Sequence, residues 1–78
     1  MSGAKRNPVN RKKLPGSKWT AVRPKNREKH FIVLDWVRDD DGRPTDEVVL
    51  EAVLTRSSRE LHWRELGNPD VWRIGWLP

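Results

Sequence analysis

Three of the five tryptophans in this 78-residue chain fall within the fourteen residues from Trp63 to Trp76, and that density limits what the chain can fold into. A domain of this length buries only about 60% of the surface its unfolded chain exposes, so a few large side chains must supply most of its stability. Each buried indole removes roughly 150–250 Å² from water, which at about 25 cal/mol per Å² is large beside a net stability of about 5–15 kcal/mol. With no cysteine, the chain has no disulfide, no thiolate metal site and no thiol nucleophile, a composition that fits a reducing cytoplasm. No apolar run approaches the length of a membrane span. A soluble, monomeric, cytoplasmic protein is expected.

The net charge of +5 is unevenly placed. Residues 1–30 carry six lysines and four arginines against Glu28 alone, whereas residues 31–78 carry six arginines against ten carboxylates. A basic segment leading into a mildly acidic body points to a polyanion, nucleic acid above all, with a solvated, solubilising tail as the plain alternative.

Met1 to Gly16 is rich in Pro, Gly and Asn and almost without apolar residues, so residues 1–16 are expected to form a flexible basic arm and residues 17–78 the folded domain. Leu14, extended before Pro15, is the arm residue expected to touch the core. Ser17–Val22 reads as a first strand ended by Pro24, followed by a basic loop at 25–29. His30–Arg38 is apolar on both faces through its middle and is expected to be the central strand. Asp39–Asp46 is a turn in which Asp41-Gly42 supplies positive φ, and its three consecutive aspartates lack the alternating spacing of a calcium loop. Glu47–Thr55 predicts a third strand with Val48, Leu50, Ala52 and Leu54 inward, and Glu60–Leu66 a fourth with Leu61 and Trp63 on one face. Asn68 before Pro69 is a helix-start signal, so one helical turn is expected between Asn68 and Gly75, pinned by Val71, Trp72 and Ile74. The sum is an all-β chain: a four- to five-strand antiparallel meander closing into a small barrel of the SH3 or Tudor kind, with one short helical turn near the C-terminus.

Nothing in this pattern carries catalysis. The two histidines are thirty-two positions apart, and neither a nucleophile elbow, a phosphate-cradling glycine loop nor a metal-ligand spacing occurs. Asp35, Glu51 and Glu65 lie near Arg38, Arg56 and Arg64, which favours surface ion pairs over acid–base work. A non-enzymatic binding module without cofactor is expected. Bases stack on any aromatic face while cations track the phosphates. The candidate contacts for RNA or a ribonucleoprotein are Lys12, Lys13, Lys18, Arg23, Lys25, Arg27 and Lys29 for the backbone, with His30, Trp36 and Trp63 for the bases. Trp19, Trp72 and Trp76 are assigned to the core. The alternative is a protein-interaction module whose aromatic pocket holds a cationic side chain, with the acidic surroundings that residues 35–51 offer.

Trp19-Thr20 followed by Pro24, His30-Phe31, Glu51-Ala52-Val53, Trp63-Arg64-Glu65-Leu66 and the closing Trp72-Arg73-Ile74-Gly75-Trp76 together resemble a family of small tryptophan-rich bacterial proteins found in proteobacteria and cyanobacteria, a domain of unknown function. The resemblance covers residues 7–76. It implies a bacterial cytoplasmic protein and brings no catalytic or binding residues with it. Trp36 belongs to the shared pattern less clearly than the other four, which makes it the tryptophan expected to be least bound to the core.

Overall fold

A computed structural model describes residues 5–78, and Met1–Ala4, part of the expected arm, lie outside the described residues. Five strands form one antiparallel sheet: β1 (Lys18–Lys25), β2 (Glu28–Arg38), β3 (Pro44–Ala52), β4 (Ser58–His62) and β5 (Trp72–Ile74). Two short 3₁₀ turns, Arg11–Lys13 and Trp63–Gly67, complete the described structure. The ladder order is β4-β3-β2-β1-β5, so β2 is central and the chain is mostly β, as expected. β4 and β5 are the two edges, and among the described residues no ladder joins them.

One face of the sheet holds the core. Trp19, Phe31 and Ala52 lie in a cross-strand row, as do Val33 and Leu50, and Ala21 with Trp72. Leu14 and Leu66 close over them, and these residues, Ala21 excepted, are almost wholly buried. Phe31 meets Trp72 edge-to-face with ring centroids 5.2 Å apart, a geometry aromatic quadrupoles favour.

Register breaks bend the sheet and reassign side chains. On β2, Val33 pairs with Leu50 and Asp35 with Val49, so Leu34 is a bulged residue and is left 47% exposed. Past that bulge the alternation flips, and Trp36 joins the Val48 side, against the core. On β1, Thr20 pairs with His30 and Lys25 with Glu28, so Ala21–Pro24 stand opposite Lys29 alone while Ala21 turns to pair with Trp72. Proline is tolerated there because the ladder to β2 is interrupted. The expected loop at 25–29 is a two-residue turn instead: Asn26 and Arg27 both take positive φ, 56° and 63°, the primed-turn geometry that matches strand twist.

The later turns also differ in detail. At the β2–β3 turn only Gly42 has positive φ, and the Asp39 carboxylate accepts from the backbone N–H groups of Asp41 and Arg43. β3 stops at Ala52, whose carbonyl accepts from Arg56 N in a turn where Arg56 takes φ 63°, so Leu54, expected inward, is 69% exposed. The helical turn sits one step earlier than its expected place. His62 Nδ1 accepts from Arg64 N and starts the 3₁₀ turn at Trp63–Gly67, which swings Leu66 inward. Asn68 accepts from Asp70 N with its side chain, as a cap would, but Trp72–Ile74 then pairs with β1. Pairing along β1 outweighs a helix too short to be stable alone.

The stretch expected as a free arm is held from Arg6 onward. Asn7 Nδ2 donates to the carbonyls of Leu66 and Trp72, at 3.0 and 2.7 Å, and Asn7 N to Gly67 O at 2.8 Å. Leu14 enters the core as expected, at 2% exposure. Composition counts only what a segment can bury by itself, and these partners are about sixty residues away in sequence.

Candidate nucleic-acid interface

The face of the sheet turned away from the core carries the most open aromatic group. Arg73, Thr20 and His30 form one cross-strand row there, and Lys18, Ile32 and Glu51 the next. Residues 75–77 lie across these rows. Thr20 Oγ1 donates to Gly75 O at 2.6 Å and accepts from Leu77 N at 2.9 Å, while His30 Nε2 bonds Leu77 O. Thr20 is thereby only 3% exposed. Trp76 Nε1 donates to Phe31 O at 2.9 Å, which satisfies its polar end and leaves the ring on the surface, 41% exposed. This corrects its assignment to the core: Trp76 lies over the sheet and not inside it. Lys18 Nζ stands 4.7 Å from the Trp76 ring centroid, and the His30 ring stacks on it at 6.0 Å and 30°. What sets this indole apart from the other four is its exposure, with one cation and one imidazole against it.

The other expected contacts fall in four places. Lys13 lines a shallow groove of about 370 Å³ with Lys18, Trp19, Ile74 and Gly75, which Trp76 does not line. Lys12 is exposed on the same 3₁₀ turn, its backbone N–H bonded to Asn10 Oδ1. Arg23 and Lys25 face a separate cavity, where β1 leaves β2. Arg27 is at the tip of the β1–β2 turn and Lys29 is half-buried. The site therefore gathers Lys18 and His30, with Lys13 sharing a groove with Lys18, and leaves Arg23 and Lys25 elsewhere.

Trp36 and Trp63, expected as stacking rings, are drawn together but covered. The Arg11 guanidinium lies 5.0 Å from the Trp36 ring and 5.1 Å from the Trp63 ring, and its Nη2 is 3.3 Å from Asp46 Oδ1. Both indoles are half-buried against the core. Trp76 and Trp36 have thus exchanged their expected roles. Strand alternation alone could not show this, because the bulge at Leu34 turns Trp36 inward and a distant backbone carbonyl holds Trp76 out.

Three carboxylates of the sheet and its turns are engaged. Asp35 and Glu51 pair with Arg38 and Arg56 at 3.8 and 3.9 Å. Glu28 accepts from the Ser57 and Thr55 hydroxyls on the β3–β4 turn. Those two hydroxyls, with Arg59 adding a smaller attraction, hold its carboxyl below the usual carboxylate range. A depressed folded-state pKa stabilises the fold at neutral pH, and the contribution is lost as pH falls from about 4.3, the unperturbed glutamate value, through the folded value. Melting wild type and Glu28→Gln from about pH 6 to 3 tests this: the wild type should lose more of its melting temperature over that range. Parallel profiles would exclude the linkage. Among the described residues no group of three or more His, Asp and Glu is placed to hold a metal, and no helix is long and apolar enough to cross a membrane.

A protein-family model described as Tryptophan-rich protein (DUF2389) matches residues 17–77. No curated protein and no solved structure matches the chain.

Proposed function

The chain belongs to the tryptophan-rich protein family (DUF2389), and for it we propose a non-enzymatic role as a small cytoplasmic module that binds single-stranded RNA, alone or in a ribonucleoprotein. The observation that carries this reading is the exposed Trp76 ring with Lys18 and His30 against it. Lys13 shares a groove with Lys18, and Arg73 lies in the His30 row. A base stacked on the indole is worth about 1–3 kcal/mol, and each phosphate neutralised by these cations adds salt-dependent affinity. The order β4-β3-β2-β1-β5, with a 3₁₀ turn before a last strand that returns to the first, supports an SH3-like form for the module.

The test is a titration of amide and indole NMR signals with a short mixed-sequence RNA at about 50 and 200 mM salt, where electrostatic binding changes steeply. Signals of Lys18, His30 and the Trp76 indole should move and should fade at the higher salt. Trp76→Ala should weaken binding about tenfold or more while the β-sheet amide pattern persists. Unchanged affinity in that folded variant would remove the platform from the mechanism.

A protein-interaction module with an aromatic pocket is the second reading, favoured by one observation: Trp36 and Trp63 already hold a guanidinium beside Asp46. Arg11→Ala separates the two. If RNA is the partner, opening that cleft should change affinity by no more than the loss of one charge. If the cleft is a receptor, the variant should gain affinity for an arginine-containing peptide, because an intramolecular competitor at millimolar effective concentration has gone.

A further inference from the structure

The splaying of β1 from β2 at Ala21–Pro24 opens a cavity of about 500 Å³ on the core side of the sheet. Phe31 and Trp72, already paired edge-to-face, line it. Arg59 reaches it from β4. It pairs across the ladder with buried Leu50, which puts its side chain on the core face, and its guanidinium lies 5.3 Å from the centroids of both Phe31 and Trp72. Arg23 and Lys25 line the same opening from β1, both exposed. None of these three cations lies within 4.0 Å of a carboxylate among the described residues. Two carboxylates, Glu28 and Asp70, also line the cavity; Glu28 accepts from the Thr55 and Ser57 hydroxyls and stays ionised, so three cations face two anions there.

A planar cation backed by aromatic rings, with two further cations at the rim, suits a ligand that is flat at one end and anionic at the other. Bases stack on guanidinium planes as they do on aromatic rings, and the volume lies within the range of small-molecule sites. We infer that this cavity takes one nucleotide of a single-stranded RNA, the base against the Arg59 guanidinium and the phosphate between Arg23 and Lys25. The inference rests on the RNA reading above and adds a base-sized compartment on the opposite face of β1 from Trp76.

Titration of the full chain with 5′-AMP, adenosine and inorganic phosphate, read by NMR, tests the compartment apart from the platform. AMP should shift Ala21, Arg59, Val71 and Trp72 and leave the Trp76 indole unmoved, with adenosine and phosphate each giving weaker effects at the same residues. Arg59→Lys keeps the charge and loses the plane, and should weaken AMP binding about tenfold. Arg23→Ala with Lys25→Ala should weaken AMP and leave adenosine unaffected. Equal binding of AMP by wild type and Arg59→Lys, or phosphate shifts as large as those of AMP, would reduce the cavity to a simple anion contact and overturn the inference. RNA that moves Trp76 while AMP moves nothing in the cavity would overturn it and leave the RNA reading standing. AMP binding without any RNA binding would overturn the placement on an RNA track, and the RNA reading with it.

Discussion

Trp72→Ala is expected to cost about 3–5 kcal/mol and to leave most of the population unfolded at growth temperature. The residue is 1% exposed, pairs through its backbone with Ala21, and packs its ring on Phe31 at 5.2 Å and 87°. Truncation removes the largest side chain among those fully buried and leaves a cavity on the core face of the sheet, which its neighbours fill only in part. At about 0.05–0.15 kcal/mol per residue, a domain of this length has little stability beyond that loss. Trp76→Ala is the internal control. Its ring is 41% exposed and its one indole hydrogen bond ends on a backbone carbonyl, so about 1–2 kcal/mol is expected. Urea unfolding of both variants decides the matter: midpoints lowered equally would show that both indoles are core.

A chain beginning at Ser17 is expected to be destabilised comparably. Losing Leu14 alone removes a side chain 2% exposed in the core, an effect of about 2–5 kcal/mol for truncation to alanine. Losing Asn7 as well leaves the carbonyls of Leu66 and Trp72 without their donor, about 1–3 kcal/mol for each that stays dry. Those two carbonyls belong to the second 3₁₀ turn and to β5, so Asn7 ties the turn to the last strand. Leu14→Ala and Asn7→Ala should each reproduce part of the loss in thermal melts. A chain lacking residues 1–16 that melts with the full-length protein would return that segment to the status of a detached arm.

Much of the sheet is legible in the residues themselves. β2 and β3 carry β-branched runs on either side of an Asp-Gly turn, and the core positions Trp19, Val48, Leu50 and Ala52 follow from strand alternation, whereas Trp72, core as expected, reaches it from a strand where a helical turn is expected. Alternation fails at Leu34, Leu54 and Trp63. A bulge, a left-handed Arg56 and a 3₁₀ turn capped by His62 each break the two-residue period there. None of the three has a distinctive residue signal, since Arg at positive φ is unusual and a histidine cap is not a preferred one. The candidate interface was half legible. Charge and chemistry point to Lys18 and His30, yet the ring they attend is Trp76, and nothing local distinguishes an indole bonded to a distant carbonyl from one in the core.

By itself, then, the sequence determined the class of fold, the family, the central place of β2 and the concentration of cations before His30, because these depend on composition and short-range periodicity. Only the tertiary structure decided which tryptophans are free. That choice rests on contacts between residues far apart in the chain: Arg11 over Trp36 and Trp63, Phe31 O on the Trp76 indole, and Asn7 across Leu66 and Trp72. Such contacts form only after the sheet has brought their partners together, and no pattern along the chain encodes them locally.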